Sequence, residues 1–419
     1  MARSGTAWSS PPPLPPTHYV DPRVYTDRGL FEEERSLIFG RSWVVACHES
    51  ELPARNDYRT FSHPAGPNLV AVRGNDDVVR TFYNVCPHRG NTIAYQPAGN
   101  SATLLCIFHQ WSFNGKGECV GIPREREGYD ERLCKADFSL RGVRTEIDFA
   151  GFVWVNLDDD AVGLYEYLGG ALDGMRECLG SEPLEIFTFH RTLSDTNWKF
   201  WNDTNSEFYH DYIHYFNRQT SMLQPGYFER RYLPFPRGHV VVGDQIVRYD
   251  AYQGGQQRLL TFPGLQPNQW KLTVLFPGVV YNLRGSALRI DTVLPLAPGR
   301  VAVEYRGLGL KSDSPSERAQ RIRDYNSIWG PFGRNLHEDL LAVHGQGRAL
   351  EHGQTYIVQG REEDRSIHDE IGMRVFYAEW GRRLGRRASD PFGEREDGSA
   401  GTLEESPETL ELLVRKAVV

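Results

Sequence analysis

The sequence predicts an α+β fold: a small all-β domain, then a larger domain in which an antiparallel sheet is surrounded by helices. Three observations carry this expectation. Between Trp43 and about Asp158, short β-branched and aromatic runs alternate with turn-forming residues. Beyond Asp160, longer strand-like runs share the chain with segments that carry helix-start signals. No internal repeat interrupts either half. The 419 residues suffice for one large domain or two ordinary ones, and a 40% hydrophobic, 12% aromatic composition supplies their cores.

The elements follow in order. Residues 9–18 are proline-rich, and successive prolines favour an extended backbone. This arm is equally open to docking and to disorder. Leu30, Phe31, Leu37 and Ile38 among charged residues predict a helix over 25–41. Strands are predicted over 69–72, 78–85 and 152–155, with Gly74-Asn75 and Gly115-Lys116-Gly117 supplying turns. Further strands over 240–249, 271–283 and 301–310 suggest a twisted antiparallel sheet. Ser314-Pro315-Ser316-Glu317 opens a helix, with Ser as N-cap, Pro in the first turn and Glu closing a capping box. Another helix is predicted over 336–350, and the stretch beyond Arg387 is a charged, Gly/Ser-rich tail. The resulting division is 1–40, 41–158, 159–387 and 388–419.

Charge and cysteine usage narrow the function. A net charge of -8, from 47 basic and 55 acidic residues, argues against a nucleic-acid partner, because phosphate binding needs a basic face. No apolar run is long enough to span a bilayer, and the first residues lack a secretory signal, so a soluble, cytoplasmic protein is expected. Six cysteines in a chain this long make no disulfide framework. In a reducing compartment, Cys grouped with His points to metal.

Two such groups stand in the first half. Cys86-Pro87-His88-Arg89-Gly90 is followed, after 17 residues between His88 and Cys106, by Cys106-Ile107-Phe108-His109-Gln110-Trp111. Each tight loop offers one thiolate and one imidazole, a donor set that suits zinc or a [2Fe-2S] cluster. Structural zinc more often uses Cys-x2-Cys or His-x3-His pairs, so the cluster is the stronger reading. Trp111 and Phe113 are positioned to shield it. Cys47, Cys119, Cys134 and Cys178 have no such partners and read as ordinary small or buried residues.

A second constellation lies at Glu207, His210 and His214. On a continuous helix these residues share one face. Two imidazoles and one carboxylate on one side of an Fe(II), with the remaining positions open, is the arrangement that activates oxygen. Without an upstream metal motif, the bland reading would be a hydrogen-bonded helix surface. The carboxylate would come from Glu338 or Asp339, of which only one is expected to face the histidine pair, because adjacent helical residues point about 100° apart.

The Cys-Pro-His-Arg-Gly and Cys-x-x-His-x-Trp motifs, with the Glu207 to His214 segment and Glu338-Asp339-Leu340, resemble the Rieske non-haem iron oxygenases over nearly the whole chain. The resemblance implies a Rieske [2Fe-2S] domain over 41–158 and a helix-grip-like catalytic domain over 159–387, with the first 40 residues packed on the latter. It implies a cluster held by Cys86, His88, Cys106 and His109, and mononuclear Fe(II) held by His210, His214 and Asp339. Glu207 would link His210 to a cluster histidine of a neighbouring subunit, with His109 favoured over His88, in a homotrimeric ring. Electrons would come from NAD(P)H through a separate reductase, with or without a ferredoxin and a small beta subunit. The chain has no dinucleotide or flavin fingerprint of its own.

The implied reaction is oxygenation of a small molecule. Dihydroxylation of an aromatic ring leads, single-oxygen hydroxylation or demethylation is the alternative, and a pure electron carrier is remote. Departures from the pattern are Asp203-Thr204 where an acid–Asn pair is usual, a three-residue gap between the histidines, and His344 where an acid is common. Aromatic residues around Phe200, Trp201, Phe208, Tyr209, Tyr212, Tyr215 and Phe216 suit a flat substrate and a plain core equally well. The run from Arg382 to Arg387 reads as a solvated basic helix end.

Overall fold

A computed structural model describes residues 10–130, 132–224, 226–246, 260–331, 333–353, 355–363 and 366–393. The chain divides into two compact units, Phe39–Leu164 and a second made from Met1–Ile38 with Tyr165–Val419. The first unit ends at Leu164 rather than at 158. Trp43 Nε1 donates to Val162 O at 2.9 Å, and Leu164 N donates to a Glu146 carboxylate oxygen at 3.1 Å. Those two bonds tie 159–164 to the β-sheet behind them.

The first unit is all-β apart from short turns of helix. Its seven-stranded antiparallel sheet runs in the order Val44–His48, Phe152–Asn156, Gly142–Ile147, Val79–Tyr83, Asn68–Arg73, Asp57–Ser62, Ala98–Asn100. Phe152–Asn156 is buried along its whole length, as its Val and Trp content requires. A separate three-stranded sheet joins Thr103–Leu105, Ser112–Asn114 and Cys119–Gly121. Val70, Val72 and Phe82 of the large sheet share one apolar cluster with Leu104 and Phe113 of the small one, and Cys86, Cys106 and Trp111 of the loops lie in the same cluster. The two loops that carry Cys and His therefore stand on a shared apolar base.

The second unit is built on a seven-stranded antiparallel sheet ordered Leu184–Ser194, Arg300–Leu310, Ala287–Ala297, Val279–Arg284, Gln269–Leu275, His239–Ile246, Tyr232–Phe235. The single strand expected over 271–283 is two strands of a hairpin, Gln269–Leu275 and Val279–Arg284. Phe276-Pro277-Gly278 breaks the run there, because Pro cannot donate to a ladder. Of the strand expected over 240–249, residues 247–249 lie outside the described residues.

Helices Trp198–Ser206 and Pro315–Trp329 lie against the central strands. Ser314 and Glu317 form the expected capping box at the start of Pro315–Trp329. Helix Leu336–His352 extends the one expected over 336–350. Gly347 lets that helix approach the chain before Trp198–Ser206, since a Cβ there would stand 2.4 Å from Asp195 O. Gly372, in helix Ile371–Leu384, has the same role against Ser206 O at 2.2 Å.

The N-terminal segment is docked where it is described. Tyr19–Val20 pairs with Ile357–Val358, and Gln359 N donates to His18 O at 2.9 Å. The helix expected over 25–41 is several short turns: Arg23–Thr26, Arg28–Glu33, a π-turn Glu34–Ile38 and a 3-10 turn Phe39–Arg41. Glu34 is fully buried and its carboxylate accepts from Lys199 Nζ at 2.6 Å, Trp198 Nε1 at 2.8 Å and Trp380 Nε1 at 2.7 Å. A buried carboxylate is tolerable only when saturated in this way. The basic run at 382–387 is not merely solvated: Arg382 and Arg383 pair with Glu379, and Arg386 pairs with Glu33. The tail expected over 388–419 lies outside the described residues beyond Gly393.

Candidate metal centres and substrate cavity

The two Cys/His loops of the first unit share one backbone pattern. Cys86 N donates to Asn91 O at 2.8 Å and Gly90 N to Cys86 O at 2.9 Å; Cys106 N donates to Trp111 O at 2.9 Å and Gln110 N to Cys106 O at 2.8 Å. Gly90 and Gln110, at matching positions, both have positive φ, 73° and 60°. A non-glycine residue held there is a strained feature kept by its surroundings. Both thiols are buried, and the His88 and His109 rings lie 4.6 Å apart at 73°. Trp111 stacks on His88 at 4.6 Å and 2°, the expected shield, and Phe113 is fully buried.

The electrostatics differ between the ligand candidates: without a metal, Cys86 is held as a thiol, whereas Cys106 and His88 are shifted toward the forms that bind metal. Burial and the neighbouring Cys106 push the Cys86 thiol up to about 11. Burial also works against the Cys106 thiolate, but the backbone N–H of Phe108 and the Asn91 amide outweigh it and hold Cys106 below its usual value. The Asn91 Nδ2 donates to Cys106 Sγ at 3.7 Å. Burial, with His109 and Arg89 nearby, keeps His88 below the ordinary imidazole range and so neutral, the form that binds metal. The Tyr129 hydroxyl lies 3.3 Å from His88 Nε2, which occupies the outer nitrogen of that ring. Of the other cysteines, Cys47, Cys119 and Cys178 are buried and Cys134 is exposed.

In the second unit the expected continuous helix through Glu207, His210 and His214 does not form. Helix Trp198–Ser206 ends with Glu207 extended (φ -149°, ψ 155°), and a 3-10 turn covers Tyr209–Ile213. The cause is local. Glu207 Oε2 accepts from His210 N at 3.0 Å and so caps the new turn. The same carboxylate takes His210 Nδ1 at 2.8 Å. Breaking the helix thus fixes the first histidine ring.

The second ring is fixed from helix Leu336–His352. Glu338 Oε2 lies 2.7 Å from His214 Nδ1, and Glu338 Oε1 accepts from Tyr215 N at 3.3 Å. Both Nδ1 atoms are therefore held by carboxylates, which leaves both Nε2 atoms free to bind a metal. These converge on Asp339: Oδ1 stands 3.1 Å from His214 Nε2 and 3.6 Å from His210 Nε2. That Oδ1 is buried and makes no aligned hydrogen bond, an orphaned acceptor of the kind a metal ion satisfies. The expectation that only one of the adjacent acids reaches the histidines is corrected. Asp339 and Glu338 approach His214 from opposite edges of the ring.

Asp211 is a rival third donor, since its ligand atoms and those of His210 and His214 lie within 4.8 Å of one another. Its carboxylate already accepts from the Tyr227 hydroxyl and from Asn217 Nδ2 at 3.2 Å, and it lies 3.7 Å from His214 Nε2. Asp339, closer to His214 and engaged by no group other than the two histidines at its Oδ1, is the stronger candidate. Burial lowers His210, but Glu207 and then Asp339 override it and raise the ring to about 10. Burial opposes the Asp339 charge, yet His214 and His210 hold its carboxyl below the usual range. The donor set is thus one that attracts a cation strongly, and it fits ferrous iron.

A cavity of about 40 Å³ opens on these three residues, with Phe208, Tyr227, Arg230, Trp270 and Trp329 in its wall. Thr204 lines it too, whereas Asp203 turns away to accept from the Tyr25 and Tyr377 hydroxyls. Phe200 and Trp201 are core, and Tyr209, Tyr212 and Tyr215 are exposed. His344 Nδ1 accepts from Asp195 N at 3.3 Å. Sequence reasoning missed Arg230 and Trp270, which carry no local motif, and the role of Glu338.

Known families agree with this architecture. Residues 42–141 match the Rieske [2Fe-2S] domain, and residues 184–386 match the ring hydroxylating alpha subunit catalytic domain. The chain belongs to the Rieske non-haem iron oxygenases, as a catalytic alpha subunit, a class that carries a [2Fe-2S] cluster and mononuclear iron. It is 50% identical over 402 residues to the methanesulfonate monooxygenase hydroxylase alpha subunit of Methylosulfonomonas methylovora, covering 93% of this chain and 97% of that one. It is 43% identical over 399 residues to the 2-aminobenzenesulfonate 2,3-dioxygenase alpha subunit of an Alcaligenes species, covering 93% and 99%. Naphthalene 1,2-dioxygenase shares the fold, with a TM-score of 0.75 at 19% identity over 95% of this chain and 97% of that one.

Proposed function

We propose that this chain is the terminal oxygenase for a small organosulfonate, inserting one oxygen atom into a C–H bond. The observation that carries the oxygenase reading is the convergence of His210 Nε2, His214 Nε2 and the orphaned Asp339 Oδ1. Ferrous iron held there supplies oxygen activation. The balance is R–H, O2, two electrons and two protons giving R–OH and water, the electrons coming from NAD(P)H through a separate reductase. Two relatives of high coverage are named for sulfonates, one of them for methanesulfonate, which supports a small organosulfonate substrate. The aromatic wall of Phe208, Tyr227, Trp270 and Trp329 supports a second reading, dihydroxylation of an aromatic sulfonate.

The residues have distinct tasks. Cys86, His88, Cys106 and His109 hold the cluster. Glu207 and Glu338 set the tautomers of His210 and His214. Glu207 also serves as the bridge to the neighbouring subunit of a homotrimeric ring. The Tyr129 hydroxyl beside His88 supports the half-buried His109 as the ring that would meet Glu207 of the neighbouring subunit. A ferredoxin and a small beta subunit are compatible additions. No helix among the described residues is long and apolar enough to cross a membrane, which supports work in the cytoplasm beside an NAD(P)H pool.

The test is chemical. Purified protein is assayed for iron and acid-labile sulfide, then supplied with a reductase, labelled O2 and alkane- or arenesulfonates. One labelled atom in the product, with bisulfite released from an α-hydroxysulfonate, is expected. Two labelled atoms on a ring would establish the second reading. Colourless protein carrying zinc without sulfide would end both.

A further inference from the structure

Arg230 is 5% exposed, and neither of its terminal nitrogens has a hydrogen-bond partner. Its Nε donates to Tyr227 O at 3.3 Å. Its guanidinium carbon lies 4.7 Å from the Trp270 ring centre, 4.7 Å from Tyr227 and 5.9 Å from Phe208. These contacts use the aromatic faces. They leave Nη1 and Nη2, both buried, without a hydrogen-bond partner, on a residue of the wall of the cavity that holds His210, His214 and Asp339.

A buried cation without an anion is costly, and ordinary packing does not keep one. Another guanidinium of the wall, Arg289, is paired with Asp291 at 2.8 Å. The acids of the wall are committed as well, Asp339 to the histidine pair and Asp211 to Tyr227 and Asn217. Burial depresses the Arg230 guanidinium, and Tyr227 and Asp211 oppose the shift without outweighing it.

We infer that Arg230 is a specificity-determining residue of the substrate site, binding the sulfonate group of a monoanionic substrate through its unpartnered Nη1 and Nη2. The inference rests on the organosulfonate reading and adds the residue that enforces it. A planar N–H fork matches two oxygens of an oxyanion. A single negative charge neutralises a single guanidinium, whereas a dianion would meet repulsion from Asp211 and Asp339. Anchoring the head group at Arg230 leaves the attached carbon as the part of the substrate free to face the histidine pair.

The test is equilibrium binding to the iron-loaded, cluster-loaded protein without reductant, read by calorimetry and by the rise in melting temperature on ligand addition. The probes are methanesulfonate and benzenesulfonate, with acetate, benzoate and neutral methanesulfonamide as comparators. Arg230→Met is expected to weaken sulfonate binding roughly 10- to 150-fold, the span that a charge-assisted hydrogen bond of about 1.5–3 kcal/mol represents. Arg230→Lys is expected to fall between wild type and Arg230→Met. Without ligand, Arg230→Met should melt no lower than wild type, because it removes an unpaired buried charge.

Unchanged sulfonate affinity in Arg230→Met would overturn the inference, whether or not that variant is destabilised. Acetate and benzoate bound in preference to the sulfonates would overturn the sulfonate assignment. Iron, sulfide and reductase-driven oxygen uptake measured on the same preparations keep failure of this inference distinct from failure of the oxygenase reading.

Discussion

Each histidine of the proposed iron site is gripped from behind by a carboxylate, and the consequences are separable by residue. Glu338→Gln keeps the shape but loses the charged acceptor on His214 Nδ1. Its expected effect is a roughly 10- to 100-fold loss of ferrous affinity, measured by competitive titration of metal-depleted protein. Asp339→Asn should keep a reducible cluster and lose iron or turnover; full activity there would remove it from the ligand set. Glu207→Gln should keep both metals while slowing cluster reoxidation in a single turnover. Asp203 belongs to a different network. Burial raises its carboxyl to about 7 from 3.8, against the opposing hydroxyls of Tyr377 and Tyr25. Below pH 3.8 both folded and unfolded chains hold this proton, so the group is neutral to stability. From there to about pH 7 only the folded chain holds it, and stability falls as pH rises. Asp203→Asn should flatten that part of the melting-temperature profile, between about pH 4 and pH 7, relative to wild type.

At the scale of elements, close approach of backbones places the site. Helix Leu336–His352 brings Glu338 and Asp339 to the histidines because Gly347 allows it to lie against Asp195 and Thr196. Gly347→Ala is expected to cost about 1–3 kcal/mol and to lower the iron content at the same time. Ser314→Ala, which removes the cap of helix Pro315–Trp329, should cost about 1 kcal/mol and leave the iron content unchanged. A melting curve paired with metal analysis separates the two. What could be read from the sequence follows the same logic. The Cys86 and Cys106 loops were legible because each ligand pair is closed by bonds within five residues. The capping box at Ser314 was legible for the same reason. The break at Glu207 was not, because a 3.6-residue period cannot show that a side chain will cap a turn in place of the next helical bond. Nor was Arg230, whose isolation depends on Trp270 and on acids elsewhere that are already paired.

For the whole molecule, the proposed ring predicts complementation. A chain lacking the cluster through His109→Ala and a chain lacking iron through Asp339→Ala should each be inert. Co-expressed, they should recover part of the reductase-driven oxygen uptake, since an intact cluster in one subunit can serve intact iron in its neighbour. Failure to recover activity in demonstrated mixed oligomers would place electron transfer within one chain.

The all-β unit, Phe39–Leu164, is inserted in the chain of the second unit, whose first 38 residues precede it. Those residues find their partners late. Tyr25 meets Asp203 178 positions onward, and Glu34 meets Trp380 346 positions onward. At roughly 5–20 residues per second, the ribosome needs roughly 17–70 s to deliver the last of these. During that interval the all-β unit can complete itself, while the side chains of Tyr25 and Glu34 wait without the partners that bury them. The nascent chain therefore carries a sticky leader for most of its synthesis, and yield in cells should depend on translation speed and on chaperone capacity as much as on the stability of the finished fold.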